Sequence, residues 1–267
     1  MATKHENRFA NMIWAVTEEA IFKDEIVLDF HSFVRILSGE MKVVQADQSY
    51  TFLPGDTILF PRHQLSSVIK KPRDGKPYKA IVLALTTAQL QQYYSKTTFT
   101  RPLHYSGQTQ PLGSHPLLDS FFASVIPYFN LQDQLPLTIA QLKIEEAISI
   151  IRSISKNADA ILTDFSDPGK LDLVAFMEKN FMFNIPLEKF AYLTGRSLST
   201  FNRDFRKTFQ MTPQKWLTHK RLELARFQIA KNHKKPVDVY LETGFENLSH
   251  FSFAFKKQFG YAPSESI

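Results

Sequence analysis

The sequence predicts an α+β protein in two parts, an antiparallel β-barrel with accessory helices followed by an all-helical second half. Short apolar runs separated by turn residues occupy about 25–85, whereas apolar residues at helical spacing follow Leu85. Positive charge is also distributed unequally between the two halves. With 267 residues, of which 43% are hydrophobic and 22% charged, the chain is long enough for one large domain or two ordinary ones and too apolar to be disordered as a whole.

Seven runs of apolar and β-branched residues are predicted as strands, because turn signals such as Ser38-Gly39 and Pro54-Gly55-Asp56 separate them. Short strands at such regular spacing are typical of a small antiparallel barrel or jelly roll. The predicted strands are Glu25–Phe30, Phe33–Leu37, Met41–Ala46, Ser49–Phe52, Thr57–Phe60, Leu65–Ile69 and Ala80–Leu85.

Three helices are predicted after the strands: Thr87–Lys96, His115–Asn130, which is kinked or ended near Pro127, and Leu137–Asn157. The third carries apolar residues beyond a single stripe, including Ile139 and Leu142, so it either lies in a core or offers a second face to a partner chain. Polar and turn-forming residues then predict a linker over Ser155–Lys170. The expected domains are therefore 1–165 and 171–267.

Only helices are predicted from Leu171 onward. Gly195 and Gly244 each end a short helix, and Ser197 and Asn247 are each placed to cap the helix that follows. The predicted helices are Leu171–Asn180, Pro186–Leu193, Leu198–Phe209, a long helix from Pro213 to about Ala230, Val237–Thr243 and Leu248–Phe259.

Two stretches of this second half repeat the same unit. Each has a short apolar helix, a glycine turn, a capping residue and a helix with phenylalanine at every fourth position. A basic pair follows the middle phenylalanine in both, and equivalent phenylalanines are 50 residues apart: Phe201, Phe205 and Phe209 match Phe251, Phe255 and Phe259. A helix, a glycine turn and an amphipathic helix describe a helix-turn-helix. Two in register predict DNA binding.

The charge distribution points the same way. The net charge of +6 divides into 16 basic against 17 acidic residues before Pro168, and 16 against 9 in the last 100 residues. A module with a local balance of +7 is suited to a polyanionic partner such as double-stranded DNA.

Composition excludes several classes of protein. The absence of cysteine excludes disulfide scaffolds, cysteine-ligated zinc, iron–sulfur clusters and thiol nucleophiles. No apolar run approaches the ~18 residues of a membrane span, and the start of the chain has no signal-peptide core. Nucleophile-elbow, zincin, phosphate-loop and dinucleotide motifs are also missing. We therefore expect a soluble cytoplasmic protein that is not an enzyme, needs no cofactor and has no membrane partner.

The second half resembles the AraC/XylS family of bacterial transcription regulators. The resemblance covers about 100 residues and rests on LEKFAYLTGRSLSTFNRDFRKTFQMTPQKW, RLELARFQIA and TGFENLSHFSFAFKKQFGYAPSE. The first half resembles the cupin-like sensor of that family more loosely, through LSGEMKVV and PGDTILFP. The resemblance implies two helix-turn-helix units bridged by a helix, with the second helix of each in the major groove. It also implies a homodimer that works with RNA polymerase and that activates transcription rather than repressing it.

Base contacts are predicted on the outward faces of the two recognition helices. With Phe201 and Phe205 inward, the first helix offers Ser199, Asn202 and Arg203; Asn pairs with adenine and Arg with guanine, each worth ~1–3 kcal/mol of discrimination. The matching residues of the second helix are Leu248, Ser249, His250, Ser252 and Phe253.

The second unit departs from the pattern of the family. Leu248 and Phe253 stand where relatives often carry Gln or Arg, so they either contact thymine methyl groups or leave this unit to read DNA shape. Tyr240 stands where a small residue is usual, so helix packing there must be rearranged. Six basic residues are predicted to contact phosphates, which fixes register without reading sequence: Arg206, Lys207, Lys220, Arg221, Lys256 and Lys257.

The first half suggests a rival reading as a cupin-type metalloenzyme with a DNA-binding module attached. His31, Glu40 and His63 do not form the His-x-His motif that such sites use, so no metal site is predicted. By resemblance, the barrel binds a small-molecule effector or mediates dimerisation, while some relatives respond to a protein partner instead. The sequence identifies no effector-binding residues; Arg35 is either an anion anchor in a pocket or a charge at the mouth of the barrel.

Overall fold

The computed structural model describes residues 7–9, 13–99, 108–130 and 136–266. It divides into two units, 1–166 and 167–267. The first unit combines β-sheets with helices, and the described part of the second is helical, so the predicted α+β class is confirmed. No helix in the described ranges is long and apolar enough to cross a membrane.

Two antiparallel sheets build the barrel of the first unit. The larger sheet has the strand order β1 (Asn7–Phe9), β2 (Ile13–Glu18), β9 (Tyr78–Leu85), β4 (His31–Ser38), β7 (Thr57–Phe60) and β10 (Gln110–Pro111). The smaller sheet has the order β3 (Phe22–Ile26), β8 (Ser66–Lys71), β5 (Glu40–Val44) and β6 (Ser49–Phe52).

Four strands differ from the predictions. The strand predicted at Glu25–Phe30 lies instead at Phe22–Ile26, where Lys23, Asp24 and Glu25 interrupt the apolar pattern. This strand forms an edge of the smaller sheet, and charged residues are common at edges. The strands β1, β2 and β10 were not predicted; β2 pairs with β9, from Ile13 opposite Leu83 to Glu18 opposite Tyr78.

Successive side chains of β4 belong to two different apolar cores. Val34 and Ile36 belong to the core between the two sheets, which also contains Val43, Ile58, Val68 and Tyr78. Phe33 belongs to the core between the larger sheet and the helices, where its ring lies 5.2 Å from that of Phe122. The larger sheet therefore packs against the smaller sheet on one face and against helices on the other.

The helices of the first unit are α1 (Thr87–Ser95), α2 (Pro116–Val125), α3 (Leu137–Ile154) and α4 (Ala158–Leu162). A 3₁₀ helix over Ile126–Asn130 continues α2, because Pro127 lacks the N–H that an α-helix needs. The helix α4 lies in the predicted linker, and its residues Ile161 and Leu162 are buried in the same core as Phe33.

The second unit contains α5 (Leu173–Asn180), α6 (Leu187–Leu193), α7 (Leu198–Phe209), α8 (Pro213–Asn232), α9 (Pro236–Glu242) and α10 (Leu248–Phe259), followed by a 3₁₀ helix over Pro263–Ser266. Their bounds agree with the predictions to within about two residues, a difference within the usual uncertainty of helix ends. Caps and glycines explain this agreement, because they mark helix ends locally.

Candidate nucleic-acid interface

Each predicted helix-turn-helix contains a glycine turn that no other residue fits. Gly195 has φ +64°, and a Cβ there would lie 2.5 Å from the carbonyl oxygen of Gly169. Gly244 has φ +84°, and its Cβ would lie 2.6 Å from the carbonyl oxygen of Met182. The left-handed conformation and the close approach of backbone both require glycine. These turns fix where the second helix of each unit begins.

Side-chain caps start both recognition helices. Ser197 Oγ accepts a hydrogen bond from the backbone N–H of Thr200 at 3.3 Å at the start of α7. Asn247 Oδ1 accepts from the N–H groups of Ser249 at 2.8 Å and His250 at 3.1 Å at the start of α10. The caps satisfy amide groups that the first helical turn leaves without partners.

The bridging helix α8 supports both units along its length. Near its start, Trp216 lies 5.6 Å from the ring of Phe205 and 4.7 Å from that of Phe209. Farther along, Leu222, Ala225 and Ile229 share a buried cluster with Phe251 and Phe255. Twenty residues give α8 a length of roughly 30 Å at 1.5 Å per residue. Both recognition helices are thus held by the same rigid element.

The buried phenylalanines leave the predicted base-contact residues of α7 on the opposite side. Ser199 and Arg203 are exposed, and Asn202 is half-buried. The Arg203 side chain is 76% exposed, and it approaches Asp204 Oδ1 at 3.4 Å. The structure therefore leaves this face accessible to a ligand.

The second recognition helix presents an apolar surface. Phe253 is 68% exposed and Leu248 is 38% exposed, while Ser249 and His250 beside them are also exposed and Ser252 is half-buried. Phe251 and Phe255, on the opposite face of the helix, are fully buried. A phenylalanine this exposed contributes little to the core of its own domain, so its place on a recognition helix suits contact with a partner. Tyr240 packs half-buried against the same core.

Four of the six predicted phosphate-contact residues are exposed in the last turn of a recognition helix. Arg206 and Lys207 end α7, and Lys256 and Lys257 end α10. Lys220 is half-buried; its Nζ lies 2.7 Å from Glu178 Oε2 and above the rings of Phe181 and Trp216. A phosphate contact by Lys220 would therefore compete with an existing ion pair.

The prediction for Arg221 is wrong, because this side chain is only 7% exposed. Its Nε donates to the carbonyl oxygen of Phe181 at 2.8 Å, and one Nη donates to that of Phe183 at 2.7 Å. The other Nη lies 3.3 Å from the carbonyl oxygen of Gly244. The guanidinium is thus surrounded by protein carbonyl groups and has no access to a phosphate.

Sequence reasoning missed a groove beside α10. It has a volume of about 800 Å³ and lies between the turn after α7, the first half of α8 and the outer face of α10. Polar and basic residues of α8 line it together with Phe253 and Lys257: Gln214, Lys215, Thr218 and His219. Lys215 and His219 are four residues apart and share a helical face, a spacing that could have identified them.

The barrel of the first unit contains a partly open cavity of about 380 Å³. Most of its wall is apolar, and Asp24, Lys70 and Tyr78 are among its few polar residues. Arg35 does not line it. Instead, Arg35 donates to Thr57 Oγ1 at 2.8 Å and forms an ion pair with Asp119 of α2, so it joins the barrel to the helices and is not an anion anchor in the cavity.

Two of the three residues considered for a metal, His31 and Glu40, have other surroundings. His31 is buried, and its Nδ1 accepts a hydrogen bond from the backbone N–H of Arg62 at 3.3 Å. Burial, together with the smaller effect of the nearby positive charge of Arg62, lowers the pKa of His31 to about 3. Glu40 pairs with Lys71 at 2.8 Å. The described residues contain no group of three or more His, Cys, Asp or Glu that could hold a metal ion.

Two family models match most of the chain. A helix-turn-helix domain matches 190–266, and the ExsA N-terminal regulatory domain matches 31–161. The first contains both recognition helices, and the second contains most of the barrel and the helices that cover it.

Relatives match over the same regions. The regulator ExsA of Pseudomonas aeruginosa is 25% identical over 238 residues, which cover 86% of this chain and 84% of that protein. The activator VirF of Yersinia enterocolitica is 27% identical over 153 residues, which cover 57% of this chain and only 56% of VirF. A crystal structure of a ToxT variant from Vibrio cholerae aligns over 95% of both chains, with 14% identity and a TM-score of 0.46. With its regulatory and helix-turn-helix domains both matched, the chain belongs to the AraC/XylS family of transcription regulators.

Proposed function

We propose that this protein is a sequence-specific activator of transcription that inserts α7 and α10 into adjacent major grooves of one face of its operator. The observation that carries the proposal is the exposed face of each recognition helix, held outward by fully buried phenylalanines at every fourth position. A bridge of roughly 30 Å suits the ~34 Å between successive major grooves on one face of B-DNA. In this proposal the chain acts in the bacterial cytoplasm and has no catalytic role.

The first recognition helix supplies polar readout. Arg203, which is exposed, has the fork geometry to pair with both acceptors of a guanine, and Asn202 can pair with adenine. Ser199 lies one turn earlier on the accessible side and can donate to or accept from either base type. This helix is expected to determine the box of the operator with the strictest sequence requirement.

The second recognition helix supplies apolar readout. Phe253 and Leu248 are suited to contact the C5-methyl groups of thymines, which only the major groove displays. Ser249 and His250 add polar contacts at the start of the helix. The second box of the operator is therefore expected to be rich in thymine at the positions below Phe253.

Phosphate contacts fix the register of both helices. Arg206, Lys207, Lys256 and Lys257 supply them from the helix ends, and the groove adds Lys215 and His219 from the bridge. We place the sugar–phosphate backbone that separates the two boxes along this groove, because basic and hydroxyl side chains line it.

We further propose that the first unit makes the protein a homodimer. Three apolar residues of α3 are exposed, with Leu137 at 54%, Ile139 at 37% and Leu142 at 60%. Apolar residues so exposed on one helix are suited to a partner chain. Paired operators and contact with RNA polymerase would then follow the family pattern.

The barrel cavity favours a small-molecule effector as the signal. Its volume of about 380 Å³ and its largely apolar wall with few polar groups are typical of ligand sites. A protein partner is the alternative signal. Small molecules extracted from the purified chain and identified by mass spectrometry distinguish the two, with a Val34→Trp variant, which fills the cavity, as the control.

Selection of operators from a random duplex library with the purified full chain tests the proposed function. The selected duplexes are expected to contain two short conserved boxes about one helical turn apart. Fluorescence anisotropy on selected and scrambled duplexes then measures the specificity ratio. Equal affinity for both duplexes at all salt concentrations would overturn the proposal.

A further inference from the structure

Three separate segments of the second unit meet at the Arg221 guanidinium. The bridging helix provides Arg221 itself, the loop between α5 and α6 provides the carbonyl groups of Phe181 and Phe183, and the turn of the second helix-turn-helix provides that of Gly244. Asn184 Oδ1 in the same loop lies 3.4 Å from an Nη of Arg221. One buried guanidinium therefore donates hydrogen bonds to acceptors in segments 40 residues and 23 residues away in sequence.

The contact is tight from both directions. A Cβ on Gly244 would lie 2.9 Å from Arg221 Nε and 2.6 Å from the carbonyl oxygen of Met182. The turn that starts the second recognition helix thus rests directly on the guanidinium and on the loop before α6. Any change in the position of Arg221 must move that turn relative to the bridge.

The recognition helix α7 is held on the bridge by different means. Phe205 and Phe209 pack against Trp216, more than one helical turn before Arg221. The orientation of α7 on the bridge is therefore set by an aromatic cluster. The turn before α10 is instead set in part by directional hydrogen bonds, which fix angles more strictly than apolar packing does.

We propose that Arg221 is a positioning residue that sets the separation between the two DNA boxes the protein accepts. This inference rests on the proposed function, since it assumes that α7 and α10 each read one box. Arg221 does not touch DNA. It fixes α10 relative to α7, so that only one spacing of boxes fits both helices at once.

The test measures affinity of the full chain for selected duplexes in which the two boxes are moved apart or together in steps of one base pair. Each step displaces one box by about 3.4 Å and rotates it by about 35° around the DNA axis. Wild-type protein is expected to bind one spacing best and to lose about tenfold in affinity or more at the neighbouring spacings. A duplex with only the first box reports on α7 alone.

Arg221→Met is expected to flatten the spacing profile, so that neighbouring spacings differ by about threefold or less, while affinity for the single-box duplex stays within about twofold of wild type. Arg221→Lys keeps the charge but cannot reach three carbonyl groups. Its spacing profile is expected to lie between those of the wild type and Arg221→Met. Gly244→Ala displaces the same turn from the other side and is expected to flatten or shift the profile without changing Arg221. Lys231→Met, which removes an exposed charge from the last turn of the same helix, is the matched control and should keep the wild-type profile.

The outcomes separate the two proposals. A sharp wild-type optimum that Arg221→Met and Gly244→Ala both retain overturns the role of Arg221 and leaves the proposed function intact. Equal losses on single-box and two-box duplexes also overturn it, because they show a general loss of folding. Wild-type protein that binds every spacing equally overturns the two-box function, and the role of Arg221 with it.

Discussion

Phe205 and Phe255 lie 50 residues apart and occupy the same position in two copies of one structural unit. Both are fully buried. Phe205 lies between the rings of Phe201 and Phe209, at 5.4 Å and 4.4 Å, and Phe255 lies between those of Phe251 and Phe259, at 5.6 Å and 4.7 Å. The same aromatic arrangement therefore faces inward in both units, and the residues on the opposite face are left to differ. That difference gives α7 a polar face and α10 an apolar one.

Truncation of a buried phenylalanine in the second unit should lower the free energy of unfolding far more than truncation of an exposed one. Phe205→Ala removes a fully buried ring and is expected to lower the free energy of unfolding by about 3–5 kcal/mol. Phe253→Ala, at a position 68% exposed, should change it by less than about 0.5 kcal/mol. Urea unfolding followed by Trp216 fluorescence measures both. Similar losses for the two variants would show that Phe253 belongs to the core.

Arg203 and Lys257 should affect DNA binding in different ways. Arg203→Ala is expected to cost about 1–3 kcal/mol on the selected operator and to abolish discrimination at one base pair, because a bidentate contact to guanine is lost. Lys257→Ala should lower the affinity for selected and scrambled duplexes equally, because Lys257 contacts phosphate. It should also reduce the slope of log affinity against log salt concentration by about one. Anisotropy titrations over a salt series measure both effects.

Exposed cations of the first unit provide the controls for this pair. Arg73→Ala and Lys42→Ala each remove one positive charge of the same type as Arg203 and Lys257, at positions far from the recognition helices in sequence. Both should leave the titrations unchanged. Arg203 would lose its base-reading role if its truncation weakened scrambled and selected duplexes by the same factor.

Phe253 should detect thymine methyl groups. Replacing thymine by deoxyuridine in the second box removes only the C5-methyl group, and wild-type affinity is expected to fall by about 1 kcal/mol per contacted methyl group. Phe253→Ala should bind the thymine and deoxyuridine duplexes equally, since the apolar contact is already absent. If the variant remains as sensitive to deoxyuridine as the wild type, the methyl groups are read by another residue.

Stability of the first unit should fall in acid because of His31. Its pKa is lowered to about 3 in the folded state by burial and by Arg62, whereas the unfolded chain has the ordinary value near 6.5. The unfolded state therefore binds a proton below pH ~6.5 that the folded state does not bind. Stability is expected to decrease as pH falls from about 6.5 to about 3, by up to about 1.4 kcal/mol per pH unit.

His31→Asn removes the titrating group and should make the pH dependence shallower over this range. Urea unfolding at several pH values, followed by the fluorescence of Trp14, measures the slope. The wild type and the variant should converge in stability as the pH falls. Parallel curves would assign the acid sensitivity to other groups.

The exposed apolar residues of α3 should control dimerisation. Leu142→Asp places a charge at a position 60% exposed on that helix and is expected to give a monomer by light scattering. Affinity for a duplex with two operators should fall by a hundredfold or so, with little change on one operator, because linked sites no longer raise the effective concentration. Thr51→Asp on the smaller sheet is the matched charge control and should stay dimeric.

The second unit was predictable from sequence because its signals are local. Glycine turns, capping residues and phenylalanines at every fourth position mark helix ends and faces within a few residues of where they act. The strands β1, β2 and β10 were not found; β2, for example, is defined by pairing with β9, 60 to 70 residues away. Long-range pairing leaves only a short alternating pattern in the sequence.

The functional role of a charged residue was predictable only where exposure could be inferred. Arg203 follows buried Phe201 by two positions and lies outward as expected. Arg221 was misassigned because its charge alone suggested phosphate, whereas its acceptors are backbone carbonyl groups from two distant segments. Lys215 and His219 were missed because the groove that joins them to α10 exists only in the folded chain.

Missing-base interference on a selected operator tests the central claim most directly, because it identifies each base whose removal weakens binding. The account predicts two clusters of such bases about one helical turn apart. The first cluster should disappear in an Asn202→Ala, Arg203→Ala double variant and the second in Phe253→Ala, each without effect on the other. A single cluster, or the loss of both clusters in either variant, would contradict it.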